Sequence, residues 1–255
     1  MLGIIIPYHS FFELCPFQIK NIRRFVKVPF TILIVDDSDL EDSPLSLTCE
    51  ELDVSYWKIP PSQHQLYGEN PSARHQHAVN TGLNLLRDSC SHILIFDNDM
   101  IFVEDFKPVL DKRIWYVPQT RGTLVYPWLN LFLFATTEKI HEFNFNRCPQ
   151  TGEATDSGGS VAGYLLERSQ DCHVIEYEFR NDTYLMSWQQ KFRELCEKYQ
   201  TQCWYEIYHF LGTSVFHFRG LSNWQKLPQL FLDDKKGLIL EALTEFQNTY
   251  SLDTH

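Results

Sequence analysis

Two apolar runs in this chain stop abruptly at acidic residues. Residues 31–35 read Thr-Ile-Leu-Ile-Val and run straight into Asp36-Asp37-Ser38-Asp39; residues 92–96 read His-Ile-Leu-Ile-Phe and end in Asp97-Asn98-Asp99. Short, continuously apolar runs rich in β-branched residues are the pattern of strands buried on both faces. Residues 2–7, Leu-Gly-Ile-Ile-Ile-Pro, and residues 54–59, closed by Pro60-Pro61, supply two more. Between these runs, residues 11–26 carry Leu14, Phe17, Phe25 and Val26 at roughly helical spacing. Residues 72–87 carry Val79, Leu83 and Leu86 on one face, with Ser72 as the predicted N-cap. Strands alternating with helices predict an α/β fold with a mainly parallel sheet flanked by helices. Such sheets gather ligands at the carboxyl ends of their strands. Pro7, Asp36, Asp37, Asp97 and Asp99 all fall there.

The second half is less regular. Residues 115–118 and 129–134 read as strands, and residues 150–160 as an acidic loop of small residues. Leu185, Trp188, Phe192, Leu195 and Tyr199 mark an amphipathic helix with Asp182 as its candidate cap. Residues 204–210 and 214–218 are aromatic strands, and a last helix spans about 234–250 with Ile239, Leu243 and Phe246 inward. No repeat, low-complexity tract or Gly/Ser linker divides the 255 residues. The expectation is one domain over 1–255, with a ligand-binding half to about residue 105 and a second lobe from about 106.

Composition narrows the function. The chain is 44% hydrophobic, enough for a real core, and carries a formal net charge of −11. Nucleic-acid affinity needs clustered Lys and Arg, so that class of partner is excluded. An anionic ligand here needs a local neutraliser, for which a metal ion is the obvious choice. No run approaches the roughly 20 apolar residues of a membrane span, and residues 1–8 look like a first strand, not a signal peptide. The seven cysteines are scattered with no C-x-x-C pair. That usage predicts reduced thiols in a cytoplasmic protein.

Asp97 and Asp99 carry the chemistry. In an extended segment, residues two apart project to one side, so both carboxylates converge. Two hard oxygen donors on a strand end suit Mn²⁺ or Mg²⁺, with ligand phosphates and water completing the shell.

Four segments in order (Ile4-Ile5-Ile6-Pro7-Tyr8, Ile34-Val35-Asp36-Asp37-Ser38, Ser72-Ala73-Arg74 and Phe96-Asp97-Asn98-Asp99) resemble those of GT-A glycosyltransferases, most nearly the family 2-like nucleotide-sugar enzymes. The resemblance covers about residues 2–105, with one further anchor at His217-Phe218-Arg219-Gly220. It implies a GT-A fold and a donor that is a nucleoside-diphosphate sugar, UDP-linked by expectation. Pro7 and Tyr8 would line the nucleotide pocket and Asp37 would accept a hydrogen bond from the base. Asp36 would serve the ribose or cap the turn. Arg74, in the first turn of its helix, would contact diphosphate or base, or else be an ordinary surface arginine. The Asp97-Asn98-Asp99 segment would meet the metal and donor, and Arg219 and Gly220, with Lys226 nearby, the phosphates. His217 would be the third metal ligand, with His209 as the competitor. His75 and His77 read as partly exposed residues, not ligands, because two-residue spacing on a helix points them apart.

Inverting transfer to a hydroxyl acceptor, glycan or other, needs a carboxylate base. Asp156 is the candidate, in the stretch Thr151-Gly-Glu-Ala-Thr-Asp156-Ser-Gly-Gly159. The family often shows an acidic pair there, whereas this chain has Thr155-Asp156; Glu153 is the alternative base, and Asp156 could instead cap a helix at 161–167. Gly158 and Gly159 would let backbone approach a substrate. Tyr126, Pro127, Trp128 and Asn130 would line the acceptor pocket or belong to the core. Two rival functions remain: a sugar-phosphate nucleotidyltransferase, although residues 4–11 lack its Gly-rich loop, and a non-catalytic nucleotide- or glycan-binding relative.

Overall fold

The computed structural model describes residues 1–67, 70–146, 152, 154–178, 186–199, 206–218 and 228–251. β1 (Leu2–Tyr8) leads into α1 (Cys15–Phe25), and β2 (Phe30–Asp36) into α2 (Leu45–Glu51) and β3 (Ser55–Lys58). A short α3 (Pro61–Tyr67) precedes α4 (Pro71–Leu86), which returns the chain to β4 (His92–Phe96). β5 (Met100–Phe102), β6 (Ile114–Arg121), β7 (Leu124–Ala135), α5 (Ala162–Glu167), β8 (Cys172–Val174) and β9 (Glu176–Glu178) follow. Then come α6 (Met186–Tyr199), β10 (Glu206–Phe210), β11 (Thr213–His217) and α7 (Gln229–Ser251).

The main sheet has seven strands in the order β3-β2-β1-β4-β7-β6-β8. β7 pairs antiparallel with both neighbours and every other pairing is parallel, so one strand runs against six. This is the mainly parallel, helix-flanked α/β sheet expected of the GT-A resemblance. A smaller antiparallel sheet, β5-β11-β10-β9, stands beside it.

Side-chain alternation explains why the central strands have no polar face. Ile4, Ile6, Ile32, Ile34, Leu94 and Phe96 pack on one side with Ile19 and Ile22 of α1. Ile5, Leu33, Val35, Ile93 and Ile95 pack on the other with Ala78, Val79 and Leu83 of α4. At about 25 cal/mol per Å² of apolar surface, such two-sided burial dominates the stability of the sheet. Stacked rings join the two sheets: Phe96 on Phe102, Phe102 on Phe106 and Phe106 on Phe210, with centroids 4.7, 5.0 and 5.1 Å apart.

Several sequence expectations shift. The cap of α4 is Asn70, not Ser72. Its side chain accepts from the amides of Ser72 and Ala73, while Pro71 takes the first helical position, where a missing N–H costs nothing. The last helix begins at Gln229, a full turn before the periodic residues alone indicate. Asp182 and Leu185 lie outside the described residues. Cys15, Cys49, Cys90 and Cys172 are free thiols. Among the described residues no helix is long and apolar enough to cross a membrane.

Candidate functional site

The end of β2 is a closed acidic corner. Asp36 is fully buried: Oδ1 accepts from the Ser38 amide at 2.8 Å and Lys58 Nζ at 3.1 Å, and Oδ2 from the Tyr56 hydroxyl at 2.8 Å. Burial pushes its pKa up, but hydrogen bonds from Ser43, Ser38 and Tyr56 outweigh it and hold the carboxyl below its ordinary value. Asp36 therefore holds the turn. Asp37 faces Arg74 Nε at 3.2 Å and His64 Nε2 at 3.0 Å. Here burial wins and the carboxyl is raised, despite the opposing pull of Arg74, His64 and His9.

Arg74 is only 9% exposed, so it is not an ordinary surface arginine. It also bonds the Asp37 carbonyl and the Asp39 carboxylate. The Asn70 cap fixes the first turn of α4 and so aims this guanidinium at the corner. Pro7 and Tyr8 are buried in β1, and the Tyr8 phenol is turned into the core, where it donates to Gln18 Oε1 at 2.8 Å. Gln18 in turn donates to the carbonyls of Asp97 at 2.7 Å and Met100 at 2.9 Å, tying one strand end to the other.

The end of β4 is built differently. Asp97, Asn98 and Asp99 are not extended: the Met100 amide bonds the Asp97 carbonyl at 3.3 Å, closing a turn that steps the chain from the large sheet to the small one. The two carboxylates consequently meet different partners. Asp97, with its side chain 24% exposed, lies 3.4 Å from His75 Nε2 of α4. Asp99 is buried, and its Oδ1 lies 3.1 Å from His217 Nε2 on β11. Asn98 donates to the Ser10 carbonyl at 3.1 Å. Burial raises the Asp99 pKa, but His217 and then Lys235 pull it below its usual value.

His217 is oriented from behind. Its Nδ1 is 3.1 Å from the Tyr208 hydroxyl, which accepts from Asn130 Nδ2 at 3.1 Å, and the ring meets Trp128 edge-on with centroids 5.7 Å apart. His209 occupies the opposite face of β10 from Tyr208 and pairs with Ser214 Oγ at 3.4 Å. It is thus His217, not His209, that adjoins Asp99.

β7 organises the third wall. Tyr126, Trp128 and Asn130 alternate onto one face: Trp128 and Asn130 serve His217, and the Tyr126 hydroxyl accepts from the Asp156 amide at 3.3 Å. Asp156 Oδ1 accepts from the Ser157 amide at 2.7 Å and its carbonyl from the Gly159 amide at 3.0 Å. It does not cap α5, whose N-cap is Val161. A Cβ on Gly158 would lie 2.0 Å from the Pro127 carbonyl oxygen, so this glycine lets the turn approach β7, not a substrate. Glu153, Arg219, Gly220 and Lys226 lie outside the described residues.

His75 is partly exposed, as expected, with its side chain 24% exposed, but its contact with Asp97 was not foreseen. Burial lowers its pKa, but the Asp97 carboxylate, with Asp156 and Asp37 beyond it, raises the imidazole above its ordinary value. Its neighbour His77 points elsewhere, to Gln63 Oε1 at 2.9 Å.

Asp99 and His217 are the described residues at this strand end that could hold an ion together. Two ligands at about 2.1 Å in adjacent octahedral positions stand about 3.0 Å apart, and buried Asp99 Oδ1 has His217 Nε2 at 3.1 Å, a spacing that an ion pair shares. Among the described residues no group of three or more His, Cys, Asp or Glu converges as placed, because Asp97 is turned toward His75.

No protein-family model matches this chain, and no curated protein matches it in sequence. Among solved structures it is similar to the galactosyltransferase LgtC in complex with donor and acceptor sugar analogs. That likeness has a TM-score of 0.38 at 10% identity, covering 52% of this chain and 58% of that one. It is also similar to residues 1–349 of S. aureus TarS, with a TM-score of 0.35 at 14% identity over 53% of this chain and 47% of that one. The chain spans about half the length of these solved structures.

Proposed function

We propose that the protein is a metal-dependent glycosyltransferase that moves a sugar from a nucleoside-diphosphate sugar, UDP-linked, to a hydroxyl of a glycan or other acceptor with inversion. The observation that carries this reading is the buried Asp99–His217 pair, spaced as two ligands of one ion at the carboxyl end of a mainly parallel sheet. Mn²⁺ or Mg²⁺ would be held by Asp99 and His217 with Asp97, and would supply charge stabilisation to the departing diphosphate.

The chain's own residues do the rest. Asp37, held by Arg74 and His64, is the acceptor for an imide N–H of the base, since each carboxylate oxygen takes two hydrogen bonds. Pro7, Tyr8 and Asn98 shape the floor beneath the donor. Asp156 takes the proton of the acceptor hydroxyl as its oxygen bonds to the anomeric carbon and the bond from that carbon to the diphosphate oxygen breaks. His75, 3.4 Å from Asp97, orients that carboxylate. Arg219 and Gly220 enter by sequence position, two and three residues after His217.

A panel of nucleotide sugars with Mn²⁺ tests the reading, with hydrolysis or transfer as the first readout. UDP plus Mn²⁺ should also raise the melting temperature, and the double variant Asp97→Ala with Asp99→Ala should lose that rise. Equal stabilisation of wild type and double variant would sink the metal site. Asp156→Asn should cut transfer by about 100-fold or more with donor binding intact; near-normal turnover would reject the base.

A further inference from the structure

The helix α1 inverts the charge of the protein around it. The chain carries −11 overall, yet Cys15–Phe25 holds Lys20, Arg23 and Arg24 and no acid. Arg23 turns to the carbonyls of Leu52 and Asp53. Lys20 and Arg24, four residues apart, share another face and line a cavity of about 270 Å³ between α1 and α7. Its walls are Phe17 and Phe25 of α1 and Leu243 and Phe246 of α7, and among the described residues no acidic side chain lines it. The floor is already built. The rings of Phe25 and Phe246 lie with centroids 6.0 Å apart, and the Arg24 guanidinium stands 5.6 Å from the Phe25 ring centroid. Asn21 clamps α1 to β5, donating to the Phe102 carbonyl and accepting from the Phe102 amide, both at 2.8 Å. Because α1 returns the chain from the carboxyl end of β1 to the amino end of β2, Arg24 and Phe25 lie at the opposite end of the sheet from Asp36 and Asp97.

We propose that this cavity is a second binding site, for a small organic anion: a carboxylate on a flat aromatic body. The ring lies against Phe25 and Phe246, and the carboxylate meets Lys20 and Arg24. Charge selects the head, since two cations with no acid in the lining attract an anion even in an acidic protein. The rings select the body, since they offer an apolar surface that an inorganic anion leaves unused. Size sets the limit: the space equals that of about nine waters, which is small for a ligand pocket. A bilayer is the wrong occupant, because Phe25 and Leu243 are buried between the helices and cannot project into lipid. The site is independent of the donor reading and shares no residue with it.

The test is calorimetry on the full chain with 2-naphthoate, 2-naphthol and acetate as probes. 2-Naphthoate should bind saturably at a single site. 2-Naphthol, the same body without the charge at pH 7, should bind about tenfold more weakly, and acetate, the charge without the body, should not bind measurably. Lys20→Gln with Arg24→Gln should weaken 2-naphthoate about tenfold or more, whereas Arg23→Gln, which removes a charge from the other face of α1, should leave it unchanged. Lys20→Gln alone, at an exposed position, carries the same test if the double variant does not fold. Equal affinity for 2-naphthol and 2-naphthoate overturns the proposal, as does a loss in Arg23→Gln equal to that in the double variant, which would mark a general charge effect. Binding to phosphatidylglycerol vesicles with none to 2-naphthoate also overturns it, in favour of a membrane-facing patch.

Discussion

At the end of β2, Asp36 and Asp37 are met by Tyr56, Lys58, His64 and Arg74; at the end of β4, Asp97 and Asp99 are met chiefly by two imidazoles. Both corners are acidic strand ends, and from sequence they look alike. They differ in what neutralises them. Arg74 and Lys58 are permanent cations that fill the β2 corner with fixed hydrogen bonds, so it has little need of a metal. An imidazole can lose its charge, unlike a guanidinium, and its lone pair is itself a metal ligand. The β4 corner therefore stays exchangeable. One corner shapes a rigid wall, and the other is where charge can arrive and leave.

The largest effect that would break this contrast is on transfer. Asp99→Asn should lower turnover by about a thousand-fold, roughly 4 kcal/mol of transition-state stabilisation, with the Mn²⁺-dependent thermal shift lost as well. The corresponding change at the other corner, Asp36→Ala, should act on stability. It strands the Tyr56 hydroxyl and leaves Lys58, still bonded to the Ser38 carbonyl and hydroxyl, without its counter-charge, at a cost of about 3 kcal/mol in urea unfolding. If Asp36→Ala abolished metal binding while leaving stability intact, the two corners would have exchanged roles.

Arg74→Met comes next. It leaves Asp37 buried beside His64 without its strongest counter-charge, and about 2 kcal/mol of stability should go with it. Metal binding at Asp99 should survive, because the ion's corner uses none of these groups. A variant that keeps its stability but loses the Mn²⁺ shift would show the corners to be one coupled site.

How much of this was legible follows from the physics of each feature. The strand ends were, because a strand buried on both faces must be apolar until the chain leaves the sheet, and the acids mark that exit at Asp36 and Asp97. The conformation of 97–99 was not, since it is dictated by the second sheet, whose β5 begins at Met100. Gly158 looked like a substrate-facing glycine and instead makes room for the Pro127 carbonyl, a non-local contact with no trace in nearby sequence. His75 and Lys235 share a signal that went unread. Each sits four residues before an inward apolar residue, Val79 and Ile239; Lys235 is buried there and the His75 side chain is 24% exposed.

The smallest effect is one of sign within a single corner. Asp36 has its folded pKa below the ordinary carboxylate value, so its contribution is present above the unfolded pKa, roughly 4, and is lost as pH falls through the lower folded value. Asp37 has its folded pKa raised, so ionisation costs the folded state, and acid relieves that cost first in the folded protein. The neighbours should therefore bend the stability curve in opposite directions. Between pH 7 and pH 3, Asp36→Asn should lose less stability than wild type, because its acid-sensitive term is gone. Asp37→Asn should lose more, because the compensating relief is gone. Urea midpoints across that range measure both, and a shift of the same sign in the two variants would mean that Arg74 and His64, not burial, set the charge of Asp37.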